Sequence, residues 1–244
     1  MEQRKFSIAD QMVVCLAREI QNGDSVFHGV SSHLPMVATM LARSLHAPAA
    51  VHLNIPGGVN PQMGVQNKYS SAGLTLCQQA SGYFPLADVF DLSMRGKLDV
   101  AFLSGVQFDV KGHVNASVIG DYDRPKVRLP GGAGSAVLIP TARRAIIWRS
   151  KHDRRTFVEQ VDFVTTHGNI YHIVTPLCIF AFRDGRLVVE SIHRSSSLAE
   201  VQENTGFQLV GNLTAITPEP TSQELSMLKK IDPLNTRSIE FEKM

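Results

Sequence analysis

The chain is poor in cysteine, tryptophan and net charge, and it contains no long apolar run. Its three cysteines, Cys15, Cys77 and Cys178, lie far apart in mostly apolar sequence. They offer neither metal-ligand spacing nor an even disulfide set, which fits buried thiols in a reducing cytosol. His167, His172 and His193 form no recognisable metal triad, so no metal is expected. A formal charge of +2 on 244 residues gives no argument for a nucleic-acid surface. No apolar stretch approaches the ~18 residues of a membrane span, and no secretory leader is visible. The expectation is a cytoplasmic protein that neither crosses nor binds a membrane. Walker loops, GxSxG elbows and dinucleotide fingerprints are also missing.

With 43% apolar residues, the chain can bury a substantial core. Neither an internal repeat nor a low-complexity linker divides it, so residues 1–244 are expected to form one domain. Ser7, with Asp10 three residues later, marks the start of a helix. Ser25 to Val30 reads as a strand, Leu34 to Leu45 as a helix, Val51 to Ile55 as a strand, Leu86 to Met94 as a helix and Val100 to Leu103 as a buried strand. This alternation predicts an α/β fold, a three-layer α/β/α arrangement around a mainly parallel open sheet. Further on, Ala136 to Ile139 and Arg144 to Trp148 read as strands. Asp184-Gly185 marks a hairpin between Leu177 to Phe182 and Arg186 to Ser191. Short helices at Leu198 to Asn204 and Ser222 to Lys230 precede a polar tail expected to fray or lie against a neighbour.

The most informative stretch is Gly105 to Gly134, GVQFDVKGHVNASVIGDYDRPKVRLPGGAG, which ends in a loop with three glycines in four residues. Glycine lets main-chain amides approach a ligand closely. Several exposed N–H groups can hold a phosphate or the oxyanion of an attacked acyl carbonyl, although the same loop can be a tight surface turn. In parallel sheets, ligands collect beyond the carboxyl ends of the strands. That rule gathers Ser31, Ser32 and His33 after the first strand, Asn54 to Gly58 after the second, and Gly105 to Gln107 after the third. His33 is a candidate for substrate contact or acid-base work. Asn54 and Gln107 can orient a carbonyl or cap a loop. Arg128 can meet a phosphate or carboxylate, or form a surface salt bridge. The basic run Lys151 to Arg155 reads either as a solvated loop or as a site for a nucleotide phosphate.

Three blocks, FHGVSSHLP(x)4MLAR, FLSGVQFDVKGHVNASVIGDYDRPKVRLPGGAG and RRTFVEQVDFVTT, resemble the β subunit of glutaconate-type, family I CoA-transferases. LAEVQENTGF and PTSQELSMLKKIDP extend the match more weakly. The resemblance implies a CoA-transferase-like fold and a homologous α subunit in a hetero-oligomer, α2β2, with the active site at the subunit seam. It also implies an acyl-CoA substrate, with coenzyme A part of the substrate rather than a tightly bound cofactor. In that family a glutamate at the end of the second strand attacks the thioester. The family pattern APNLVLIYESG lies over Ala47 to Gly57, APAAVHLNIPG, and puts Ile55 in the glutamate position. No Asp or Glu occurs between Ala47 and Ser81, and Cys77 stands too far along the chain to suggest a substitute thiol.

Within the resemblance, Gly131, Gly132 and Gly134 are the candidate oxyanion donors, joined by His33, Asn54 and Gln107 as catalytic candidates. Ser31, Ser32, Ile55, Gly57, Gly58, Gly105, Arg128 and Ala133 are candidates for holding the acyl-CoA. Three functions follow. One is acyl-CoA processing without a glutamyl-CoA intermediate on this chain, as in hydrolase or decarboxylase branches. The second is genuine CoA transfer between carboxylic acids, and the third is a non-catalytic CoA-binding subunit.

Overall fold

The computed structural model describes residues 6–62 and 70–242. It divides into two compact units, one running to Phe102 and resuming at Glu219, the other spanning Leu103–Pro218. The crossings fall just before Ser104-Gly105 and within Pro218-Glu219-Pro220, short breaker signals rather than a long low-complexity linker.

The first unit begins with α1 (Ile8–Arg18), closed at its start by the expected capping box. Ser7 Oγ accepts from the Asp10 amide at 3.1 Å, and the Asp10 carboxylate accepts from the Ser7 amide at 2.8 Å. Then follow β1 (Ser25–His28), α2 (His33–Leu45), β2 (Val51–Asn54), β3 (Gly58–Val59), β4 (Gly82–Tyr83), α3 (Leu86–Met94) and β5 (Val100–Leu103). β1 pairs in parallel with both β2 and β5, while β3 and β4 extend the sheet antiparallel beyond β2. The chain steps from β1 to β2 in one direction and returns across β1 to β5. Right-handed crossovers then put α2 and α3 on opposite faces of the sheet, the layering expected from the sequence. Val26, Leu34, Met36, Val37, Val100 and Ala101 are fully buried.

In the second unit, β6 (Gln107–Phe108) pairs with β7 (Val114–Asn115), and β8 (Val118–Ile119) with β9 (Val127–Arg128). After α4 (Ser135–Thr141) come β10 (Arg144–Trp148), β11 (Ile170–Val174), β12 (Cys178–Arg183), β13 (Arg186–His193), α5 (Leu198–Glu203) and β14 (Ile216–Thr217). Strands lie in the order β14-β13-β12-β11-β10, parallel at both ends and antiparallel between. Asp184 and Gly185 both take positive φ, 50° and 77°, the backbone of the hairpin turn that this dipeptide predicts. Ala136 to Ile139, expected as a strand, is helical instead. Four apolar residues cannot distinguish a buried strand from a buried helical turn, and here Leu138 and Ile139 are buried while Ala136 is exposed.

The chain returns to the first unit with α6 (Ser222–Ile231) and α7 (Ile239–Glu242). Thr221 and Glu224 form a second capping box, and Glu224 also pairs with Arg18 at 2.8 Å. Arg237 is buried between Asp10 (2.6 Å) and Asp232 (2.7 Å). Burial alone would raise the Asp10 carboxyl, but bonds from the Ser7 amide and Arg237 outweigh it and hold the group below its usual range. Within the polar tail, expected to fray or lie on a neighbour, Arg237 is pinned to its own unit by ion pairs, and residues 243–244 lie outside the described residues.

Four histidines are buried in neutral form. Burial lowers His28 and His193 to about 4, His152 to about 3, and His52 well below the ordinary 6.5. An unfolded chain takes up these protons below pH 6.5 while the folded one refuses them, so stability is full above that value and falls toward pH 4. Urea unfolding should show a lower midpoint at pH 5 than at pH 7, the unfolding free energy falling by up to about 1.4 kcal/mol per pH unit for each histidine. A flat profile between pH 7 and 5 would contradict this.

Candidate functional site

His28 of β1 is in register with Asn54 of β2, so the segments that follow them leave the same edge of the first unit's sheet side by side. Ser31 takes a left-handed conformation, φ 50°. The Ser32 amide donates to Ser71 Oγ at 2.7 Å, and Ser32 Oγ donates to the Val30 carbonyl at 2.9 Å. His33, expected in a loop, is instead the first residue of α2 and is 5% exposed. The next amide, Leu34 N, donates to Glu240 Oε1 at 3.1 Å. A carboxylate from the C-terminal segment thus sits on the electropositive end of α2, where negative charge is favoured.

Asn54 is wholly buried, and both ends of its amide are used. Oδ1 accepts from the Gly58 amide at 2.9 Å and Nδ2 donates to the Leu76 carbonyl at 3.2 Å. Of the two roles open to Asn54, loop capping is the one this geometry displays. Gly57, at φ 92°, allows the turn to press against Phe84, because a Cβ there would land on the Phe84 carbonyl; one at Gly58 would land on that of Leu76. At the head of this clamped turn stands Ile55, half-buried. Cys77 Sγ lies 3.4 Å from the Pro56 carbonyl, so the fold brings a thiol to the turn from which chain distance seemed to exclude it. Behind the edge, His28 and His52 meet with ring centroids 5.0 Å apart. His28 Nε2 and both ring nitrogens of His52 have no hydrogen-bond partner among the described residues.

In the second unit, Gly131 (φ 91°) and Ala133 (φ 41°) shape the glycine loop, and Gly134 leads into α4. The Gly131 amide donates to the Ala116 carbonyl at 2.8 Å. Among the described residues, the amides of Gly132, Ala133 and Gly134 donate to no protein acceptor. A Cβ on Gly132 would stand 2.8 Å from Ala136 Cβ and 3.0 Å from Thr165 Cγ2. Gly105 serves packing, since a Cβ there would collide with Val114. Gln107 is engaged at both ends of its amide: Oε1 accepts from Asn115 Nδ2 (2.7 Å) and the Asp162 amide (3.1 Å), while Nε2 donates to Asp162 Oδ2 (3.3 Å). Arg128 lies over the Tyr122 ring, 5.1 Å from its centroid, an exposed cation–π pair.

Two cavities open wholly within this unit. One, about 770 Å³, has the Asp109–His113 pair (3.0 Å) in its wall. The other, about 470 Å³, is lined by Gln107 and the basic segment from Arg149 to Arg155. No group of three or more His, Cys, Asp or Glu is placed to hold a metal among the described residues, and no helix among them is long and apolar enough to cross a membrane. Sequence reasoning missed Glu240 and Cys77 because both reach the sheet edge from distant parts of the chain.

Burial raises the thiols of Cys15 and Cys178 to about 11 and about 12, while Cys77 is only half-buried. Iodoacetamide should therefore alkylate Cys77 first in the native protein, read as a single adduct by peptide mass analysis. Equal labelling of Cys15 or Cys178 would contradict the structure.

Residues 9–204 match the family described as Coenzyme A transferase. The chain is 31% identical to the β subunit of the 3-oxoadipate CoA-transferase of Pseudomonas knackmussii, over 93% of this chain and 94% of that one. It is 30% identical to the cholesterol ring-cleaving hydrolase IpdB subunit of Mycobacterium tuberculosis, over 66% of this chain and 70% of that one. A crystal structure of the decarboxylase AibA/AibB superposes with a TM-score of 0.90 at 29% identity, covering 96% of this chain and 98% of that one. The α/β fold, the glycine loop that follows two short hairpins, and a match spanning residues 9–204 together establish that this chain belongs to the coenzyme A transferase family.

Proposed function

We propose that this chain is the β subunit of a heteromeric enzyme that processes an acyl-CoA without forming a glutamyl-CoA intermediate on this subunit, in the manner of a hydrolase or decarboxylase. The observation that carries this reading is the turn after β2. It presents Ile55, a side chain that can neither attack a thioester nor carry one, and residues 47–81 contain no carboxylate to replace it. The amides of Gly132, Ala133 and Gly134, which have no protein acceptor among the described residues, suit an oxyanion or enolate on an intact thioester. The general base comes from elsewhere, with a homologous α subunit as the source. Relatives named as a ring-cleaving hydrolase and a decarboxylase support this class of chemistry, and the paired name AibA/AibB supports a two-subunit assembly.

A second reading, genuine CoA transfer, is favoured by the 31% identity to the 3-oxoadipate CoA-transferase chain. The two readings share an acyl-CoA substrate and differ in where the nucleophile resides. The acyl-CoA reading itself is tested by Gly132→Leu, whose side chain would push into Ala136 and Thr165 and displace the loop amides. Turnover by the assembled complex should fall about 100-fold or more with assembly intact, the scale expected for losing an oxyanion donor. Unchanged turnover would contradict the role given to the loop.

A further inference from the structure

The start of α2 carries the Ser31-Ser32-His33 segment, and its own sequence gives it no side-chain cap. A local cap accepts from the second or third helical amide. The third position here is Pro35, which has no N–H, so Leu34 at the second position is the amide to satisfy. Ser32, in the cap position, makes no side-chain bond to the helix, because its hydroxyl donates backward to the Val30 carbonyl at 2.9 Å. Its dihedrals, φ −123° and ψ 52°, are neither extended nor helical, and Ser31 before it is left-handed at φ 50°. Few non-glycine residues adopt the latter conformation, so the entry to the helix depends on support from outside.

Two side chains from distant parts of the first unit give that support. Ser71 Oγ accepts from the Ser32 amide at 2.7 Å, and Glu240 Oε1 accepts from the Leu34 amide at 3.1 Å. The second bond immobilises the peptide plane that His33 shares with Leu34, and it sets a half-buried carboxylate on the electropositive end of a 13-residue helix. A rigid segment delivers the carboxylate. Asp232, whose side chain is inaccessible, accepts from the Thr236 amide and hydroxyl, both at 2.8 Å, from the Arg237 amide at 3.2 Å and from Arg237 Nη1 at 2.7 Å. Arg237 Nε in turn donates to Asp10 Oδ1 at 2.6 Å, which ties the same segment to α1. Glu240 follows directly on this network in the short helix α7.

We propose that Glu240 is a positioning residue of the substrate mouth: it caps α2 in place of a local side chain and thereby fixes His33, the first residue of that helix, for contact with the acyl-CoA. The assignment rests on the acyl-CoA reading above. Glu240 acts through the backbone of α2 and not on the thioester itself, so its effect on turnover requires His33 to be present.

The direct measure is hydrogen exchange on the assembled complex, resolved at the Leu34 amide. Exchange should be about tenfold faster or more in Glu240→Ala and close to wild type in Glu240→Gln, whose side-chain oxygen still accepts. Turnover gives the second measure. Glu240→Ala should lower kcat/KM about tenfold in the wild-type background but less than about twofold in His33→Ala, because a residue that acts through His33 then has nothing left to position. A purely structural carboxylate would cost the same factor in both backgrounds. If Glu240→Ala fails to assemble, Glu240→Leu, which keeps the bulk and lacks the acceptor, carries the same expectations. Unchanged Leu34 exchange in the variant overturns the proposal, as does an equal loss of kcat/KM in both backgrounds. If the complex consumes no thioester while Leu34 exchange is released by Glu240→Ala and restored by Glu240→Gln, the cap stands and the acyl-CoA reading alone fails.

Discussion

The side-chain amide of Asn54 holds together the part of the molecule on which the functional reading depends. Buried completely, it joins the end of β2 to the Gly58 amide and to the Leu76 carbonyl. Without it, two buried main-chain groups would lose their partners at a cost of about 1–3 kcal/mol each. The same clamp fixes the chain path that Gly57 and Gly58 permit against Phe84 and Leu76. Ile55 is consequently held at the tip of a rigid turn, and its aliphatic character is a property of the site rather than of a wandering loop. In the proposed reading this turn is the place of the nucleophile, and the side chain it carries is aliphatic.

Within the first unit the fold gathers groups that no local pattern connects. Cys77 comes to Pro56 from 21 residues away, Glu240 to the start of α2 from 206, and Arg237 to Asp10 from 227. These are contacts between buried or charged groups whose partners are chosen by tertiary packing, and nothing in the neighbouring residues announces them. Local features behave differently. Ser7 with Asp10, Asp184 with Gly185, and the helix Leu86–Met94 are legible because capping, turn formation and helical periodicity act over three or four residues. The helix at Ser135–Thr141 marks the boundary between the two cases: a short apolar run satisfies either regular structure, and local pattern does not choose between them.

The candidate site was legible to the same extent. Gly131, Gly132 and Gly134 could be singled out as oxyanion donors from composition, but the structure spends the Gly131 amide on the Ala116 carbonyl and leaves those of Gly132, Ala133 and Gly134 without a protein acceptor among the described residues. Gln107 and Asn54 could be identified as amides near strand ends, but only the structure shows both ends of each engaged in the scaffold. Spacing likewise cannot decide whether the run from Lys151 to Arg155 is solvated or anchored. The structure adds that the His152 ring in its middle is buried between Thr175 and Thr205.

The central claim is that thioester chemistry in this protein leaves no covalent mark on the subunit in which Ile55 follows the second strand. The assembled complex can be incubated with a substrate acyl-CoA, reduced with borohydride, and each subunit weighed intact by mass spectrometry. An unaltered mass for this chain, under conditions in which thioester is consumed, is the predicted result. A reduced glutamyl residue mapped to this polypeptide would contradict it.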